Sequence, residues 1–121
     1  MGTFSVKLRV WNPAQPCGVE ELDAFVDTGA AFSWISHARL ERIGVKMNRQ
    51  MPFRRIEGQV LRDLATVYVA TEGRSALENV VMAEAGETEV LGSHTIDGFG
   101  LTVDPVQRKL VPAIMMALSV A

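Results

Sequence analysis

Residues 24–36 read AFVDTGAAFSWIS, an apolar run broken by one carboxylate, Asp27, which a small turn-forming tripeptide follows. Two explanations of Asp27 have different consequences. In the first, Asp-Thr-Gly ends a strand, and the Asp side chain accepts hydrogen bonds from the amides of its own turn. In the second, Asp27 is a catalytic acid or base set beside an apolar core.

Upstream, ELDAFVD alternates Leu22, Ala24 and Val26 against Glu21, Asp23 and Phe25, which predicts a strand that delivers Asp27 at its end. Phe4, Val6, Leu8 and Val10 share one face of an earlier strand, and NPAQPCG between the two is a loop by its Pro and Gly content. Downstream, FSWI is a short β-prone run. Ser36 then caps a two-turn helix over HARLERI, in which Leu40 and Ile43 lie three apart, and Gly44 supplies the stop. Residues 52–71 predict two strands around IEGQ, with the turn at Glu57-Gly58, where glycine adopts positive φ at no steric cost. ATVYVAT and ALENVVMA predict strands joined through Gly73-Arg74, and EAGETE an acidic loop. VLG is a short strand ending in Gly92, SHTIDGFG a helical turn, and LTVDPVQRKLV a hairpin turning at Asp104-Pro105. Many short strands with one or two short helices predict an all-β barrel or sandwich spanning residues 1–121 as one domain.

Composition narrows the function classes. At 121 residues and 48% hydrophobic content, the chain can bury a full core. A net charge of -2 with scattered Lys and Arg offers no basic stripe for nucleic acid. The sole cysteine, Cys17, cannot form an internal disulfide, and the N-terminus alternates instead of showing the apolar core of a secretory signal, so a cytoplasmic location is expected. AIMMALSVA at the end is too short to cross a bilayer, so no membrane partner is expected. No serine sits in a nucleophile elbow, and His37 and His94 lack partners at metal-ligand spacing. Carboxylate chemistry remains.

With FVDTGAAFSWIS, the hairpin RRIEGQVL and VLGSHTIDGFGLTVDPVQRKLVP occurring in this order, the chain resembles the retropepsin-like aspartic proteases, and most closely their small single-domain prokaryotic members. The resemblance implies an all-β retropepsin-like fold with one lobe per chain. Asp27 would be the catalytic aspartate, completed by a second Asp-Thr-Gly from a twofold partner, so the active form would be a homodimer. Thr28 would hydrogen-bond across the axis, and Gly29 and Ala30 would keep the cleft floor narrow for an extended peptide or protein substrate. Ile56, Glu57, Gly58 and Gln59 would form a mobile flap, and Leu91 and Gly92 would pass beneath the Asp27 loop. Side pockets would draw on Ile35, Ile56, Val60 and Val90. The implied reaction is hydrolysis of a peptide bond by Asp-activated water, with no metal and no cofactor.

Two features depart from the retroviral pattern. Ser93, His94 and Thr95 stand where retroviral members carry an Arg that ties the dimer. Residues 113–121 form an apolar, helix-compatible tail, expected at the subunit interface or over its own sheet. Two rival readings stay open: a catalytically silent dimeric peptide-binding or scaffolding domain of the same fold, and a monomeric β-domain in which Asp27 only caps its turn.

Overall fold

A computed structural model describes residues 4–15 and 18–114. The strands are β1 (Ser5–Trp11), β2 (Val19–Val26), β3 (Trp34–Ser36), β4 (Arg49–Arg55), β5 (Gly58–Thr71), β6 (Arg74–Ala83), β7 (Val90–Leu91), β8 (Leu101–Asp104) and β9 (Lys109–Pro112). Two short helices are α1 (His37–Arg42) and α2 (Ser93–Gly98). The first seven strands form one sheet in the order β1-β2-β7-β3-β6-β5-β4, and a further β1–β5 pairing closes it into a barrel with β4 outside the ring. β8 and β9 make a separate hairpin.

The barrel closes because β5 is long and changes neighbours partway along. Gly58 to Leu64 pair with β4, whereas Leu64 to Thr71 pair with β6, and Tyr68 to Ala70 also pair with β1. Alternation along each strand then fills the interior. Leu8 and Val10 of β1, Leu22, Ala24 and Val26 of β2, Val67 and Val69 of β5 and Val80 and Met82 of β6 are all buried in one core. Phe4 and Val6 pack against its edge.

Local signals set the boundaries. The Ser36 side chain accepts the Arg39 N–H at 3.3 Å and caps α1, whose Leu40 is fully buried, and Gly44 follows at φ +76° as the expected stop. The Asp104 carboxylate accepts the Val106 and Gln107 amides and so turns β8 into β9. Both Glu-Gly turns lie one residue earlier than expected. Thr71 pairs with Arg74, which leaves Glu72 and Gly73 as the two central residues at φ +53° and +73°. Arg55 pairs with Gly58, so the tip of the β4–β5 hairpin is Ile56-Glu57, with Gly58 already in the ladder at φ +128°. Register set by the flanking strands overrides the local preference for glycine in the turn. In the tail, Ala113 donates to the Gly100 carbonyl at 2.9 Å and Ile114 is fully exposed. Residues 115–121, the greater part of the expected interface segment, lie outside the described residues, as does Cys17.

Candidate active site

Asp27 owes its place to a parallel pairing. β2 runs beside β7 with Val26 opposite Leu91, and the chain continues one bond further as the Asp27 N–H donates to the Leu91 carbonyl at 3.0 Å. The loop then turns tightly: the Ala30 N–H donates to the Asp27 carbonyl at 3.1 Å, and the Gly29 N–H to Asp27 Oδ1 at 2.9 Å. The carboxylate thus does cap its own turn, but through Gly29 alone. The Ala30 amide closes the main-chain turn and does not reach the side chain. Within one chain Asp27, Thr28 and Gly29 are exposed: the strand ends at Val26 and the turn carries Asp27 off the barrel's rim. No other hydrogen bond to the carboxylate, and none to the Thr28 side chain, occurs among the described residues.

The loop is held from beneath by the segment after β7. Ser93 and His94 donate their amides to the carbonyls of Ala30 and Ala31 at 2.8 and 3.0 Å. Gly92 lies so close that a Cβ there would stand 2.4 Å from the Phe32 carbonyl oxygen and 2.8 Å from that of Ala30. Its N–H donates to Ser33 Oγ at 2.9 Å, and Ser33 and Thr95, both fully buried, share a 2.6 Å hydroxyl–hydroxyl bond.

Above the loop opens a cleft of about 730 Å³ whose floor includes Asp27, Gly29 and Ala30. One wall is aromatic. Phe53 of β4 stands edge-on to Phe32 and Trp34, with ring centroids 6.0 and 5.2 Å apart, and the Arg55 guanidinium lies 5.8 Å over Trp34. The far rim is Glu87, which receives two bonds from Arg62 at 2.9 and 2.7 Å, an ion pair from Arg55, and the Glu84 N–H at 2.7 Å. Both arms of the β4–β5 hairpin are therefore tied to the loop before β7.

The expected flap residues Ile56, Glu57, Gly58 and Gln59 are all exposed and are not part of the cleft lining; the hairpin reaches the cleft through residues 51–55 instead. Of the expected pocket residues, Val90 lines the cleft, Ile35 is fully buried in the core, and Ile56 stands at the exposed tip. Phe32, Trp34 and Phe53 were legible in principle. FSWI alternates, so with Ser33 and Ile35 inside, Phe32 and Trp34 must face out. Arg55, Arg62 and Glu87 carry no such signal, because they meet only after folding.

Among the described residues, no group of three or more His, Cys, Asp or Glu is arranged to hold a metal ion, and no helix is long and apolar enough to cross a membrane.

No protein-family model matches the sequence, and no curated protein does. Solved structures do. The chain is similar to the EIAV protease complexed with the inhibitor HBY-793, with a TM-score of 0.59 at 17% identity over 79% of this chain and 86% of that one. It is similar to the simian foamy virus (mac) protease in solution, with a TM-score of 0.57 at 17% identity over 78% of this chain and 92% of that one. The protein thus has the all-β retropepsin-like fold.

Proposed function

We propose that the protein is an aspartic-type endopeptidase that works as a homodimer, with each chain contributing one Asp27. The observation that carries this reading is the Asp27 carboxylate standing exposed on the floor of a cleft, at the end of β2, in a retropepsin-like fold. One chain supplies one such carboxylate, and acid–base hydrolysis by this route needs two. Where two carboxylates face each other at close range they do not both ionise easily, so one acts as base on a water while the other, protonated, donates to the scissile carbonyl.

The chain's other residues support an extended peptide in the cleft. Gly29 presents no Cβ beside Asp27 Oδ1, where one would lie at 3.1 Å, so a substrate backbone can approach the carboxylate. The exposed Thr28 hydroxyl is free to bond a second copy. The β4–β5 hairpin, with Ile56 through Gln59 at and beside its tip, serves as the cover that excludes water from the reacting bond.

The test is a solution mass measurement followed by digestion of an unfolded protein at mildly acidic pH, with Asp27→Asn as control. A dimer that cleaves, and an Asp27→Asn dimer that does not, is the expected result. Equal cleavage by both overturns it. A dimer that binds peptide without turnover at any pH points instead to the catalytically silent peptide-binding domain, and a monomer to the turn-capping role alone.

A further inference from the structure

Glu78 is out of place by pattern. It lies on the face of β6 that also carries Ala76, Val80 and Met82, and Val80 and Met82 are buried in the barrel core. Burial raises its pKa above the ordinary carboxylate value, against the opposing pull of the Thr95 hydroxyl and of His94. Its Oε2 lies where a side chain on Gly98 would stand, since a Cβ there would be 2.9 Å away. A carboxylate kept at such a position, with a glycine making room for it, calls for a function that an apolar residue could not supply.

Its hydrogen bonds lead to the Asp27 loop. Thr95 Oγ1 donates to Glu78 Oε1 at 3.4 Å, Ser33 and Thr95 are joined at 2.6 Å, and Ser33 Oγ accepts the Gly92 N–H at 2.9 Å. Each hydroxyl has one proton to give. An ionised Glu78 carboxylate has none, so in that form Thr95 must donate to it, Ser33 must donate to Thr95, and the Ser33 oxygen is left to accept from Gly92. The direction of the whole relay is thereby fixed by its outer end, and chains of aligned hydrogen bonds strengthen one another. At its inner end, the Leu91 carbonyl next to Gly92 accepts the Asp27 N–H at 3.0 Å, and the amides of Ser93 and His94 hold the far side of the loop.

We propose that Glu78 is a positioning residue for Asp27, which acts through Thr95 and Ser33 to hold Gly92 and with it the turn that presents the carboxylate. The positioning claim stands apart from the proposed peptidase activity, and only its catalytic consequence rests on that reading.

The experiment compares the native dimer with Glu78→Gln, Glu78→Leu and Thr95→Val by residue-resolved amide hydrogen exchange, and then by turnover at saturating and limiting substrate. Glu78→Gln keeps an acceptor and retains native protection at Gly92 and Asp27. Glu78→Leu and Thr95→Val each break the relay and speed exchange at those two amides by about tenfold, the size of one hydrogen bond, while Leu8 and Val10 in β1 stay as protected as before. In turnover, kcat falls with KM little changed, and Glu78→Gln restores it. If Glu78→Leu does not fold, the near-isosteric Thr95→Val decides alone. Unchanged protection at Gly92 and Asp27 overturns the proposal, and so does a uniform rise at every amide. Localised loss of protection without turnover by the native chain upholds the positioning role and removes the peptidase reading.

Discussion

Replacing Gly92 by alanine tests the packing beneath the Asp27 loop most directly. The new Cβ would stand 2.4 Å from the Phe32 carbonyl oxygen, 2.5 Å from its carbon and 2.8 Å from the Ala30 carbonyl oxygen. All three are main-chain atoms and cannot swing aside. Ordinary contact distance is reached only if the two segments separate by ~1 Å. That movement takes the bonds from Gly92 to Ser33, Ser93 to Ala30 and His94 to Ala31, now 2.9, 2.8 and 3.0 Å, out of hydrogen-bonding range. At about 1 kcal/mol each, with about 1–3 kcal/mol of residual strain, the loss is about 4–6 kcal/mol. That is a large part of the stability of a domain this size, and at about 3–5 °C per kcal/mol it lowers the melting temperature by more than about 12 °C. Thermal unfolding followed by circular dichroism measures it, with Gly73→Ala as control. Gly73 has open space around it but sits at φ +73°, so alanine there costs only backbone strain of about 1–2 kcal/mol. A Gly92→Ala protein that melts no lower than Gly73→Ala would refute the reasoning.

Three further outcomes follow from the same geometry. Ser33→Ala strips the partner from the Gly92 N–H and from Thr95 at a fully buried position, and urea unfolding should show a loss of about 1–3 kcal/mol with an unchanged m-value. Glu87→Gln leaves the Arg55 and Arg62 guanidinium groups without their counter-charge in a half-buried setting; a loss of about 2 kcal/mol is expected, smaller in high salt. Glu78 titrates higher folded than unfolded, so the native state binds more protons through that window, and its contribution to stability is full below the unfolded value and declines as pH rises through the folded one. Melting temperatures of native and Glu78→Gln proteins across mildly acidic pH should therefore show a fall in the native chain that the variant lacks.

Much of this fold is written in side-chain alternation. The faces of β1 and β2, the Ser36 cap, the Gly44 stop and the Asp104 turn all follow from contacts within a few residues, which is why the sequence discloses them. The two Glu-Gly dipeptides show where local reading stops. Glu72-Gly73 forms the turn itself, whereas at Glu57-Gly58 the ladder takes the glycine and puts an apolar Ile56 at the tip, because pairing of Phe53 with Val60 fixes the register. The site divides in the same way. Asp27 and Gly92 stand out in sequence, one as a carboxylate after an apolar run and the other as a small residue after a short strand. Glu78, Thr95 and Ser33 do not, since positions 33, 78 and 95 meet only when β3, β6 and α2 have packed.

The long fifth strand has a mechanical consequence. At Leu64, fully buried, β5 is paired with Arg49 on one side and Val81 on the other, so this residue belongs at once to the barrel and to the hairpin. It is a fulcrum. The arm from Leu64 to Gly58 is roughly 20 Å at ~3.3 Å per residue, so a tilt of ~10° about Leu64 carries the tip ~3.5 Å, about the thickness of one peptide strand's van der Waals contact. Arg62 grips Glu87 two residues from Leu64, and Arg55, opposite Gly58, grips it at the far end of the arm, where a small ionic force has the greatest leverage over the position of the tip.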